Sequence, residues 1–160
     1  MSTGNKTSSL MFGIQWDLVC KFLEVRGNWD TSRYPAQYYI NRNCTSWGNY
    51  DDSTFTINST KAKKYNSSNT SYDDITGEKT SHMSMLLTTG ASEYTNKMNI
   101  YDLAGNAYEV TLEEPPVGYS AIYRGGTFYN PGSASRVSMR FCYSTESETW
   151  LNTCLRPSLY

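Results

Sequence analysis

The chain has 160 residues, 38% of them hydrophobic and 18% charged, with a formal net charge of −1. That length suits one domain with its own core. No Lys/Arg run exceeds Lys63-Lys64, so the basic footprint of a nucleic-acid-binding protein is missing, and no apolar run approaches the length of a membrane span. Aromatic residues make up 14% and include 14 tyrosines, whose flat rings and polar tips serve wet recognition surfaces as well as cores.

In chain order, residues 1–12 open on Met1-Ser-Thr-Gly-Asn-Lys-Thr and carry no apolar h-region, which predicts a disordered lead-in rather than a signal peptide. Residues 13–160 read as a single domain. From Gly13 to Val25 the apolar residues Ile14, Leu18, Phe22 and Val25 recur at helical spacing, with Val19 beside them and Gly27-Asn28 as a stop. The pattern predicts a helix packing that stripe against a sheet, with Trp16 helping to fill the core. Residues 41–69 are polar and punctuated, which predicts long loops held by Trp47, Phe55 and Ile57. Met83 to Thr89 fits a short strand or a short helix equally well. Strands are expected over 107–112, 121–129 and 155–160, with 132–152 irregular between them.

The four cysteines (Cys20, Cys44, Cys142, Cys154) show no C-x-x-C spacing, so zinc is not indicated and scattered free thiols are expected, although two disulfides are arithmetically allowed. Five N-x-[ST] sequons follow from Asn/Ser/Thr richness. His82 is the only histidine, and nothing adjacent to it in sequence supplies an orienting carboxylate. The paired acids Asp51-Asp52, Asp73-Asp74 and Glu113-Glu114 sit in polar surroundings and read as solvated.

Three ordered blocks carry the most information: Asn99-Ile-Tyr101-Asp102-Leu-Ala-Gly105-Asn106-Ala-Tyr-Glu109, then Arg124-Gly125-Gly126-Thr-Phe128, then Arg156-Pro157. In them Asp and Asn side chains suit backbone bonding and Gly suits tight turns. Glu109 should face inward and meet Arg124 or Arg156, since a buried carboxylate needs a partner. The Gly125-Gly126 pair is better explained by close backbone approach or a bulge than by phosphate cradling.

Together the blocks resemble the signature of the formylglycine-generating-enzyme (sulfatase-modifying-factor) branch of the C-type-lectin-like fold. The resemblance implies an α+β domain of short, irregular antiparallel strands and long loops with an N-terminal helix. It also implies a structural role for the block residues. The oxidases of this branch use two cysteines just after the Arg-Gly-Gly block. The matching positions fall near Asn130 and Ser135, so the resemblance does not extend to that chemistry. Iron-dependent relatives need several histidines. The expected protein is therefore non-catalytic and without a cofactor or metal.

Non-catalytic members of the fold include the variable proteins of diversity-generating retroelements in phages and bacteria. There the stretch after Arg-Gly-Gly is a hypervariable binding face, which corresponds here to 128–154. Its candidate contact residues are Tyr129, Asn130, Ala134, Ser135 and Met139, followed by Phe141, Tyr143, Ser144, Trp150 and Asn152. Randomised adenines in Asn codons reach Tyr, Ser, Thr, Ala, Phe, Leu and Cys but not Met139, Glu146, Glu148 or Trp150. What the resemblance implies is a receptor-recognition domain whose partner is a protein or glycan on a cell surface. It would be carried on a virion tail tip or an extracellular surface, with homo-oligomers allowed. The alternative is a degenerate scaffolding or oligomerisation domain of the same fold, and an enzyme of another type ranks third.

Overall fold

A computed structural model describes residues 8–58, 60–65, 72–75, 77–143 and 153–159. The N-terminal strand β1 (Ser8–Leu10) pairs antiparallel with the last one, β12 (Pro157–Leu159). The disordered lead-in expected over 1–12 is thus corrected for residues 8–12, while residues 1–7 lie outside the described residues. Ser8–Leu10 is laddered, Met11 is buried, and Phe12 bridges Leu112.

Helix α1 (Gly13–Arg26) follows, and its ends are as the sequence suggests. The Gln15 side chain accepts the Phe12 N–H at 2.8 Å. The Gly27 N–H donates to the Leu23 carbonyl at 2.7 Å, and Asn28 takes a left-handed φ of 50°. Its orientation is the reverse of the expectation. The buried side carries Gly13, Trp16, Cys20 and Leu23, whereas Ile14, Leu18, Phe22 and Val25 are 68, 61, 46 and 67% exposed. Trp16 decides the matter: it is fully buried, its Nε1 donates to the Val137 carbonyl at 2.9 Å, and the Arg124 guanidinium lies 5.6 Å above its ring.

A short second helix, α2 (Ala36–Asn41), starts at Pro35 and was not foreseen. It adds Ile40 to the core. Beyond it the chain is loop-rich, as composition indicates, and Trp47, Phe55 and Ile57 are all buried anchors. The small ladders are β2 (Phe55–Thr56) with β5 (Glu78–Lys79), and β3 (Lys63–Tyr65) with β4 (Tyr72–Asp74). The 83–89 segment is neither strand nor helix, and only Leu87 makes a bridge, to Lys64. Next, β6 (Asn96–Lys97) and β7 (Ile100–Tyr101) form a hairpin. Its two loop residues, Met98 and Asn99, both have positive φ, as the twist of a two-residue hairpin requires.

The main sheet has the order β10-β9-β8-β11, from β8 (Tyr108–Thr111), β9 (Ala121–Arg124), β10 (Phe141–Tyr143) and β11 (Thr153–Leu155). Its pairs are antiparallel except β8 with β11. The strand expected over 121–129 ends at Arg124, because Gly125 and Gly126 both turn to φ near 88°. The expected final strand is split at Arg156 between β11 and β12.

Among the described residues two apolar clusters fill the interior. The larger joins α1, α2 and the 44–50 turn to Leu103, Ala104 and Val137, and the smaller gathers Phe55, Ile57, Ala62, Leu87 and Ala91. The architecture is α+β, with few helices and short, mostly antiparallel strands. No helix among the described residues is long and apolar enough to cross a membrane.

Candidate ligand-binding face

The three ordered blocks of the sequence become a set of long-range clamps. The Glu of the first block and the Arg of the last are two halves of one ion pair. Arg156 Nε and Nη2 donate to the Glu109 carboxylate at 2.6 Å each, and Nη2 also reaches the Tyr101 carbonyl at 3.0 Å. Burial pushes the Glu109 carboxyl above its ordinary range, against the pull of Arg156. Arg124 opposes Glu109 in the β8–β9 register but bonds elsewhere. Its Nη1 donates to Glu113 at 2.8 Å and its Nη2 to Asp17 at 2.7 Å, which ties the sheet to α1. Arg140 contacts the same two carboxylates. Burial would raise Asp17 and Glu113, yet their arginine partners hold both below the usual carboxylate range.

The first block works at a distance rather than locally. Asp102 and Asn106 adopt φ of 54° and 64°. Asp102 accepts the Gly90 N–H at 2.9 Å. Asn106 accepts from the Leu87 N–H at 3.0 Å, donates to the Leu87 carbonyl at 3.0 Å, and accepts from Asn49 Nδ2 at 2.9 Å. Gly105 bridges Asn49, where a Cβ would lie 2.3 Å from the Asn49 carbonyl oxygen. Gly126 admits a similar approach: a Cβ there would stand 2.2 Å from the Ser135 carbonyl oxygen, at a φ of 88°.

These clamps hold the start of the 128–154 window through its backbone. The Asn106 carbonyl accepts the Phe128 N–H at 3.1 Å, and the Asn130 carbonyl accepts the Asp51 N–H at 3.0 Å. Gly132 is held from both sides: its N–H donates to Asp52 Oδ1 at 3.0 Å, and its carbonyl accepts the Cys44 N–H at 3.1 Å. The Val137 carbonyl receives Trp16, and the Val137 N–H meets Cys44 Sγ at 3.4 Å. The 50–53 turn that does much of this gripping is itself pinned by Lys79. That side chain is fully buried and donates to the Tyr50 and Ser53 carbonyls at 2.5 and 2.9 Å. Burial lowers the Lys79 pKa, with Asp51 and Asp52 opposing.

The side chains of the window divide accordingly. Tyr129 is 39% exposed and Ala134 is exposed, while Asn130 and Met139 are half-buried. Phe141 is half-buried, with its ring 5.0 Å from that of Tyr108. Ser135 is only 1% exposed, so its expected contact role is corrected. It lies beneath Gly126 and faces the Tyr108 hydroxyl, and belongs to the frame. The Tyr143 side chain and residues Ser144, Trp150 and Asn152 fall outside the described residues. At the closing end of the window a depression of about 370 Å³ is lined by Leu87, Asn106, Thr153 and Cys154. The buried Thr153 hydroxyl beside it has no hydrogen-bond partner among the described residues.

Two further features of this region escaped the sequence. A groove of about 390 Å³ is lined by Arg33, Tyr34, Tyr38, Tyr39, Asn43 and Thr45, with the Tyr34 and Tyr38 rings stacked at 3.9 Å. It adjoins the window through Thr45, whose hydroxyl donates to the Asp52 carboxylate that holds Gly132. The clustering of Tyr34, Tyr38 and Tyr39 in a polar stretch was the signal available for it.

The second feature is an orienting carboxylate for His82. Asp51 Oδ2 lies 2.9 Å from His82 Nδ1, and Asp51 Oδ1 accepts the Ser84 hydroxyl at 2.6 Å. The expectation that His82 has no such partner is therefore corrected, since the carboxylate comes from 31 positions away. The order is Ser–Asp–His, with the carboxylate in the middle. The imidazole thus has no contact through which to take the Ser84 proton, as nucleophilic catalysis would need. The trio staples the 80–84 loop to the 50–53 turn.

All four cysteines are free. Cys142 in β10 and Cys154 in β11 occupy opposite edges of the main sheet. Burial pushes the Cys20 and Cys44 thiols up to about 12, which keeps them protonated and unreactive at neutral pH. No group of three or more metal-ligating side chains comes together among the described residues. Compared with family models, curated proteins and solved structures, the chain matches none.

Proposed function

We propose that this chain is a non-catalytic ligand-recognition domain with a C-type-lectin-like architecture. Its 128–154 window is an exchangeable contact face, as in the variable proteins of diversity-generating retroelements. One observation carries the reading: the frame grips the window by main-chain atoms at Phe128, Asn130, Gly132 and Val137. Backbone bonds are indifferent to side-chain identity, so Tyr129, Asn130, Ala134 and Met139 can change while the loop keeps its path. Loops carried on a rigid scaffold are where recognition is usually placed. The tyrosine-lined groove next to Gly132 extends the same face and supplies rigid aromatic contact area.

The partner in this reading is a protein or glycan on a cell surface, met by a domain displayed on a virion tail tip or an extracellular surface. No cofactor takes part. Sequencing the locus tests it. An adenine-substituted copy of the 128–154 coding region beside a reverse-transcriptase gene is the expected result. A locus with neither, and a window invariant across isolates, overturns the diversification. A degenerate oligomerisation domain of the same fold is favoured by a separate observation, the apolar outer side of α1.

A further inference from the structure

Helix α1 is apolar on two opposite sides, and only one of them is covered. Trp16, Cys20 and Leu23 face the core. At about 100° per residue, Leu18 stands diametrically opposite them, with Ile14, Phe22 and Val25 within about 40° of it. Phe12 and the Leu112 bridged to it are also 44 and 47% exposed, at the start of the same helix. The four stripe residues leave on the order of 450 Å² in water, within the range of the largest patch found on monomeric proteins.

We infer that the outer side of α1 is a homodimer interface, buried by the same side of α1 in a second copy of this chain. Three observations favour a second copy over other occupants. The stripe is complementary to itself: antiparallel pairing sets Ile14 of one copy against Val25 of the other, and Leu18 against Phe22. No field of one sign borders it, because Lys21 is neutralised by Glu24 at 2.6 Å and the whole chain carries only −1. Residues 1–7 hold no large apolar side chain except Met1, so they offer no stripe of their own to cover it. Two such patches bury about 900 Å² together, the size of a weak, reversible association. This inference stands independently of the ligand-recognition reading.

Sedimentation of the full chain from about 1 to about 100 µM tests it, over the range where weak, reversible dimers are populated. The expected result is a shift from monomer to dimer across that range. Leu18→Glu should raise the dissociation constant at least about tenfold, with unchanged far-UV circular dichroism and, at about 1 µM where the wild type is monomeric, an unchanged melting midpoint, because Leu18 is 61% exposed and outside the core cluster. Mixing Leu18→Glu with Phe22→Lys should restore a heterodimer, as the antiparallel register requires. A wild type that stays monomeric at the top concentration overturns the inference. So does a wild type that forms trimers or open-ended chains, or a Leu18→Glu variant that dimerises unchanged.

Discussion

The 99–126 stretch and the 127–143 stretch are neighbours in sequence and in space, yet they are held by different parts of the chain. In the first, side chains do the holding: Asn106 reaches Asn49 and Leu87, Glu109 meets Arg156, and Arg124 spans Glu113 and Asp17. In the second, the held atoms are mostly main-chain N–H and carbonyl groups. Substitution should therefore be costly in one stretch and cheap in the other. The exceptions are Thr127, Ser135 and Val137, the residues of that stretch buried to 1% or less, and Arg140, whose side chain pairs with Asp17 and Glu113.

The largest effect is expected on the frame side. Gly126→Ala forces a left-handed φ on a Cβ that collides with the Ser135 carbonyl oxygen, and should cost about 3 kcal/mol in chemical denaturation. Arg124→Met comes next, at about 3 kcal/mol or slightly less. It leaves Glu113 and Asp17 without a fully buried partner, although the exposed Arg140 softens the loss. A frame variant that leaves the denaturation midpoint unmoved would erase the contrast.

A pH series sharpens the same point. Asp17 and Glu113 have folded pKa values below their unfolded ones, so their contribution is present above the ordinary carboxylate range and is lost as pH falls through the folded values. Arg140→Gln should then cost about 1 kcal/mol at pH 7, since half of Arg140 is in water, and progressively less as pH falls through the lowered carboxylate values. Glu109 has the opposite sign. Its folded pKa is raised, so its contribution declines as pH rises through that value. At the small end, Tyr129→Ala should change stability by no more than about 0.5 kcal/mol. Paired with a selected ligand, the same variant should lose binding.

How much of this was legible in the sequence depends on distance along the chain. The ends of α1 could be read, because Gln15, Gly27 and Asn28 act within a turn of where they stand. Its orientation could not. The outer stripe of Ile14, Leu18, Phe22 and Val25 has the cleaner spacing, while the inner side is built from Gly13, Trp16, Cys20 and Leu23. What draws that side in is Trp16, through Val137 and Arg124, both more than 100 positions away. The Glu109–Arg156 pair was within reach because a buried Glu demands an Arg and few were on offer. The burial of Lys79 was not, since its partners are carbonyls of a distant turn. Helix α2 escaped because six residues rich in Tyr, Gln and Asn show no period.

The most direct test of the account replaces four window side chains at once: Tyr129→Ser, Asn130→Ala, Ala134→Ser and Met139→Thr. If the frame holds the window by its backbone, the denaturation free energy stays within about 1.5 kcal/mol of the parent. A loss of about 3 kcal/mol or more, or failure to fold, would mean that those side chains build the loop they were taken to decorate.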